Sequence, residues 1–417
     1  MGATLDDWTA MFNRGRLDAA DDESGDDQNR DCGQPAHEGH EPVMAPAREA
    51  IRQRGRRPTP HGGVFGRWSS SLERKRRVDS RAAHKGGAYS CPIGEPGPSK
   101  EVPHAKPTLS AIVPATDDPA TLPICLAAIR AASDGPEETI VIGEPPAAGP
   151  AGARNAGARE AKGDVLVFVD SDVEVHADVF TRIREAFERE PELVALFGSY
   201  DDAQHGSTVS AFRNLLHHHV HQQNGGRAAT FWAGLGAIRR RAFLAAGGFD
   251  ELRFPEPSIE DIELGMRLAA NGAWIELDPS LQATHLKQWP LLRMLRTDLF
   301  QRGAPWVALL LERRSSSSAL NLGLRERVSA AAALGVLVAV ATRRPRAALG
   351  TAIVFVSLNR RFYALLLRRR GPNDMAAGIL LHLLHQLVAV ASVPLGARLY
   401  LQRSHERGIR RDRGSCR

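Results

Sequence analysis

The sequence predicts an α/β protein whose core is an open, largely parallel sheet, with a polar extension before it and apolar helices after it. Three observations lead there. Between residue 108 and about 300, short β-type runs alternate with stretches of helical apolar spacing, the pattern of strands joined by crossover helices. The run Val165–Val169 is wholly apolar, as expected of a strand buried on both faces, and it stops abruptly at Asp170-Ser171-Asp172. After residue 328 the chain turns apolar in three segments, each flanked by arginines.

The elements follow in order. "TLSAIVPATDD" (108–118) reads as a strand ending in polar residues, "LPICLAAIRAA" (122–132) as a helix and "ETIVIG" (138–143) as a second strand. "GARNAGAREAKG" (152–163) is helical and runs into the strand before Asp170. "ADVFTRIREAFERE" (177–190) and "LVALFGSY" (193–200) supply a further helix and strand. In "TFWAGLGAIRRRAFLAAGGFDE" (230–251), Gly247-Gly248 mark a helix end and turn. "PSIEDIELGMRL" (257–268) starts a helix, with Ser258 a competing N-cap.

The ends differ from this core. Residues 1–105 are poor in apolar periodicity, acidic over 18–31 and basic over 50–85, so they are expected to be disordered. No apolar h-region is visible in residues 1–30, which argues against a signal peptide. The apolar segments 328–342, 347–358 and 375–401 suggest a membrane-associated helical region, and only the last is long enough to span a bilayer comfortably. A soluble helical cap is the plain alternative. The expected division is thus 1–105, 106–312 and 313–417.

The 417 residues carry a net charge of +6, which by itself allows nucleic acid, an anionic membrane or an acidic ligand as partner. The α/β region is rich in acids at 170–178 and 256–263, which argues against nucleic acid. Four widely spaced cysteines, Cys32, Cys91, Cys125 and Cys416, suggest neither zinc nor a disulfide framework, and a reducing compartment.

Ligands of open α/β sheets bind beyond the carboxyl ends of the strands, where Asp170 and Asp172 stand. Two carboxylates at that spacing can share a hard divalent cation and, through it, a diphosphate. A solvated turn is the bland reading. Glu260 and Asp261, at the head of a helix, can be held by free backbone N–H groups, or one can serve as a general base. Gly234 and Gly236 allow close backbone approach, and Trp232 offers a flat apolar face on which a sugar can stack. In "NLLHHHVHQQ" (214–223), His217, His218 and His221 share a helical face; packing is the preferred reading and a metal the alternative.

Five motifs in order, "SAIVPATDD", "GARNAGAREAKGDVLVFVDSD", "FWAGLGAIRRRAFLAAGGFDE", "SIEDIELGMRL" and "THLKQW…QRGAPW", resemble glycosyltransferase family 2, whose fold is GT-A, a Rossmann-like, mostly parallel sheet. The resemblance covers about 108–310, and the tail looks like that of membrane-attached bacterial members. It implies an inverting, metal-dependent transfer from a nucleotide-sugar, a UDP-sugar by first expectation; the location of the apolar C-terminal segments and Trp306 suggests a lipid-linked or cell-envelope glycan acceptor at the inner membrane, with a cytoplasmic catalytic domain. The cation would be Mg2+ or Mn2+. On the donor side the resemblance implies Asp117, with Asp118 as substitute, Arg154, Asp170 and Asp172. It implies Asp170, Asp172 and His285 at the metal. Asp261 is implied as the base, with Glu260 beside it. Trp232, Gly234, Arg302 and Trp306 are implied on the acceptor side. Two departures stand out. "TIVIGEPP" has Gly143 and Glu144 where the family carries nucleobase-contacting aspartates, and "QRGAPW" lacks the second arginine of processive synthases. The rival reading is a non-catalytic sugar-nucleotide-binding membrane protein.

Overall fold

The computed structural model describes residues 106–117, 119–143, 149–203, 206–314 and 323–414, with side chains to 405. The chain divides into Met1–Gly94 and Glu95–Arg417, and every described residue belongs to the second unit. The extension 1–105, Asp118 and Glu144 lie outside the described residues.

Eight strands form one mixed sheet: β1 (Leu109–Pro114), β2 (Glu138–Ile142), β3 (Val165–Val169), β4 (Val173–Val175), β5 (Leu193–Tyr200), β6 (Gly226–Ala228), β7 (Leu235–Arg239) and β8 (Trp274–His285). Their order is β2-β1-β3-β7-β5-β8-β4, with β6 also on β8. β2, β1 and β3 are parallel, as are β5 and β8. β7 runs antiparallel between β3 and β5, and β4 and β6 are antiparallel to β8. The sheet is therefore more mixed than the alternation of motifs suggests. β7 lies inside the glycine-rich stretch 230–251, where the sequence reading names no strand; Leu235, Ala237 and Ile238 are fully buried there between β3 and β5.

Helices α1 (Leu122–Ala131), α2 (Gly149–Glu160), α3 (Val179–Arg189), α4 (Thr208–Gln223), α5 (Arg240–Ala245) and α6 (Glu260–Ala270) cover the sheet. The period of two along β3 divides the core. Val165, Val167 and Val169 join one cluster with Cys125, Ile129, Phe180 and Ile183 of α1 and α3. Leu166 and Phe168 join the other, with Phe231, Phe243, Phe249 and Leu264. Phe168 is fully buried and meets three phenylalanine rings at 5.3 to 6.5 Å. Both faces of β3 are thus covered, which explains its unbroken apolar run.

Beyond the sheet, α7 (Leu291–Arg296), a π-helical stretch (Thr297–Gly303) and α8 (Ala304–Arg313) follow one another directly. Then come α9 (Leu324–Ala341), α10 (Pro345–Leu358) and α11 (Arg360–Gly414). The last is two helices meeting at Gly371, whose φ of 84° precedes Pro372. The expected boundary at 312 is crossed by a shared core: Phe212 and Leu215 of α4 pack with Phe355, Phe362, Tyr363 and Leu366. One ionic node crosses it too. Asp298 accepts from Arg213 of α4 at 2.5 Å and pairs with His385 of α11 at 2.9 Å.

One described helix, Arg360–His405, is long and apolar enough to cross a membrane, with a mean hydropathy of 1.8 over its best window. α9 and α10 match the two shorter apolar segments, and they turn outward such residues as Leu337, Val340, Leu349 and Ile353.

Candidate active site at the ends of β3 and β8

The sequence motifs converge where β3 ends. Asp170 follows β3 and is held by its own backbone N–H, which donates to Gly234 O at 3.1 Å. Its carboxylate takes Arg154 Nη2 at 2.6 Å. The other arm of Arg154, Nη1, donates to Glu260 Oε1 at 2.9 Å. One buried guanidinium, brought in by α2, therefore ties the strand-end carboxylate to the head of α6. Burial alone would weaken the charge of Arg154, but Asp170 and Glu260 outweigh it and hold the guanidinium above its usual range. The neighbouring Asn155 pins the turn after α5, with bonds to both the N–H and the carbonyl of Phe249 at 2.9 Å.

Glu260 and Asp261 are adjacent but differently placed. Glu260 is buried and engaged at both oxygens, by Arg154 and by the N–H of Ser258 at 3.0 Å. Both oxygens of Glu260, expected beside the base, thus have partners within the protein. Asp261 accepts from the N–H of Ala233 at 3.1 Å and of Ile262 at 2.7 Å, and keeps part of its surface open. The second of these donors is a free N–H of the first helical turn. Ser258 is not the cap of α6; its hydroxyl donates to Gln301 O at 2.7 Å. Burial, and then the charge of Glu260, push Asp261 up to about 7. α6 can lie this close because residue 265 is glycine: a Cβ there would meet Phe231 N at 2.1 Å.

Asp172 has a different neighbourhood. Lys287 Nζ stands 3.2 Å from its Oδ2 and His285 Nε2 3.7 Å from its Oδ1. Burial works against its charge, but His285 and Lys287 outweigh it and hold Asp172 well below the usual carboxylate range. His285, the last residue of β8, lies flat on Tyr200, ring centres 4.2 Å apart and planes 11° apart. Burial, then the charges of Asp172 and Asp170, push the Tyr200 phenol well above its usual range.

The donor set fits a divalent cation in part. Ligand atoms about 2.1 Å from such a cation lie about 3.0 Å apart at a right angle and about 4.2 Å apart across it. The 3.7 Å between Asp172 Oδ1 and His285 Nε2 falls within that span. Two protein ligands suit Mg2+ or Mn2+, which keep water and substrate oxygens for the rest. Asp170 is committed to Arg154, and no group of three His, Cys, Asp or Glu side chains poised for a metal occurs among the described residues.

The acceptor-side expectations divide. Trp232 is half-buried and sits edge-on to Tyr200 at 4.8 Å. Gly234 lies under Trp232: a Cβ there would meet the indole at 2.4 Å. Arg302 is exposed on the π-helical stretch, and Trp306 packs against a cluster with Phe254, Ile259 and Met266. Asp117 is exposed in the loop after β1. The histidines of α4 pack as preferred: His218 Nδ1 bonds Tyr200 O at 2.8 Å, His221 Nδ1 bonds Gly198 O at 2.9 Å, and His217 lies 4.3 Å from the Tyr200 ring. A cavity of about 560 Å³ beside Phe249 and Arg267 is lined by none of the expected residues. Sequence reasoning did not single out Tyr200, Asn214 or Lys287. Only Lys287 had a signal, its place two residues after His285.

Residues 128–246 match the family model for glycosyl transferase family 2. No curated protein sequence matches the chain. Among solved structures, a mannosyltransferase from Pyrobaculum calidifontis in complex with GDP-Man and Mn2+ is 14% identical, with 71% of this chain and 88% of that one covered and a TM-score of 0.39. TarS of S. aureus is 14% identical, with 68% and 90% covered and a TM-score of 0.37. Glucosyl-3-phosphoglycerate synthase from Mycobacterium tuberculosis, in complex with phosphoglyceric acid, is 19% identical, with 50% and 80% covered and a TM-score of 0.34. None is near enough to carry a role over residue by residue.

Proposed function

Taking as premise that the α/β unit is a glycosyltransferase of family 2 with the GT-A fold, we propose that it transfers a sugar, with inversion, from a nucleotide-sugar to a hydroxyl of a lipid-linked or cell-envelope glycan. One observation carries the reading. Arg154 joins the carboxylate after β3 to the carboxylate pair heading α6, and leaves Asp261 alone without a cationic partner at hydrogen-bond distance among the described residues.

Asp261 is the general base. Its two backbone donors fix the carboxylate, and its raised affinity for a proton suits it to take one from the acceptor hydroxyl. The hydroxyl oxygen then attacks the anomeric carbon as the bond to the diphosphate breaks on the opposite face, and the configuration inverts. Asp170, steadied by Arg154, faces the donor, with the exposed Asp117 as a further donor contact. Lys287 beside Asp172 brings positive charge to the leaving diphosphate. Asp172 and His285 would hold Mg2+ or Mn2+, which supplies charge neutralisation to the diphosphate when bound. Trp232 offers its ring face to the sugar, and Arg302 lies on the side from which the acceptor comes.

The acceptor is assigned to a membrane. The helix Arg360–His405 is long enough to span, α9 and α10 expose apolar side chains, and arginines flank all three. These features support a chain at the inner membrane with the α/β unit on the cytoplasmic side, where arginine flanks collect.

The test is nucleotide release by the detergent-solubilised full chain from UDP-, GDP- and dTDP-sugars, with Mn2+, with Mg2+ and with chelator, beside Asp172→Ala. Metal-dependent release from one donor, lost in the variant, is the expected result. Neither release nor calorimetric binding of any donor would sink the reading.

A further inference from the structure

Asn214 of α4 is buried and meets His285 twice. Its Nδ2 donates to the main-chain carbonyl of His285 at 3.4 Å, and its Oδ1 lies 2.7 Å from the ring Nδ1. A carbonyl only accepts, so it selects the Nδ2 end of the amide. Reversing the amide would set two oxygens against each other. Oδ1 is thereby left facing Nδ1, and since it too only accepts, the ring proton sits on Nδ1. A neutral imidazole held this way presents its Nε2 lone pair. That atom stands 3.7 Å from Asp172 Oδ1, a separation that a shared cation can bridge.

The ring cannot easily turn away. Tyr200 lies flat against it at 4.2 Å. The backbone carrying Asn214 is also held, since the neighbouring Arg213 is paired to Asp298, and Asp298 to His385 of α11. We propose that Asn214 is a positioning residue that sets the tautomer and the orientation of His285, so that Nε2 is offered together with Asp172 to a divalent cation. The inference rests on the cation reading above and names the residue that makes that site competent.

The experiment is Mn2+ titration of the full chain in detergent, followed by the spin resonance of free Mn2+, with spin-echo modulation from a bound imidazole nitrogen as a second readout. The wild type is expected to bind Mn2+ and show nitrogen modulation, which His285→Gln removes. Asn214→Leu should weaken Mn2+ binding about 10- to 100-fold, the usual cost of losing the partner that orients a ligating histidine. Asn214→Asp, which keeps an acceptor for Nδ1–H, should stay within a few-fold of wild type. Equal affinity in Asn214→Leu, or an Asn214→Asp protein that is folded yet loses the metal as fully as His285→Gln, would overturn the inference alone. A wild type that binds no Mn2+, or binds it without nitrogen modulation, would overturn the cation reading and this inference with it.

Discussion

Asp170 with Asp172 and Glu260 with Asp261 are two carboxylate pairs in one site, and they are kept in opposite conditions. At the end of β3, each aspartate has a cation within 3.2 Å, Arg154 for one and Lys287 for the other. At the head of α6, Glu260 takes the guanidinium and Asp261 is left with backbone donors and a like charge beside it. Asp172 is accordingly held acidic and Asp261 is pushed up to about 7. Identical side chains thus divide into one suited to cationic partners and one suited to carry a proton, and the division follows from who stands next to each.

The sharpest way to break this contrast is Asp261→Asn. Transfer to the acceptor should fall by about two to four orders of magnitude, the range of general-base catalysis, while donor binding by calorimetry stays near wild type. Parallel loss of donor binding would make Asp261 a binding residue instead.

Arg154→Met attacks the link between the pairs. Removing the shared cation leaves Glu260 buried without it, and breaking a buried ion pair from one side costs about 3–5 kcal/mol. A melting temperature unchanged from wild type would show that the bridge contributes little to the fold.

The raised proton affinity of Asp261 has two consequences with pH. The rate of transfer should rise as pH climbs through about 7 and level off above it. For stability, a carboxyl whose affinity is raised on folding contributes favourably below its unfolded value near 4 and loses that contribution as pH rises through about 7. Asp261→Asn should therefore match wild type in stability at pH 4 and exceed it at pH 8. A gain of about 2 kcal/mol is expected, half of what three pKa units carry, because the side chain keeps part of its surface in the cleft. Thermal melts of both proteins across that range check the sign.

The smallest effect belongs to the exposed pair Arg182–Asp178 at 2.5 Å on α3. Asp178→Ala should shift stability by less than about 0.5 kcal/mol, since both partners are solvated. A loss as large as that of Arg154→Met would mean that burial is not what distinguishes the two ion pairs.

Much of the fold was legible because its signals are local. Val165–Val169 announced a doubly covered strand, and "IEDIELGMRL" a helix with acids in its first turn. β7 escaped because its glycines and short length look like a loop until β3 and β5 flank it. Glu260 was expected beside Asp261, yet only Glu260 meets Arg154 at hydrogen-bond distance, since adjacent residues on a helix face different directions. Gly234 was expected on the acceptor side, and its lack of a side chain leaves room for the ring of Trp232, a contact that spacing along the chain does not show. Asn214 gave no signal beyond its place ahead of a histidine run that drew the eye.

The sequence by itself determined where most of the longer strands and helices run, that two acidic motifs lie at element ends, and that the tail is apolar, because each of these depends on spacing between near neighbours. Only the tertiary structure decided which acids are paired. Arg154 reaches partners 16 and 106 residues away, and Asn214 orients a histidine 71 residues on. Charge and proton affinity are set by distance through space and by the exclusion of water, and neither is written along the chain.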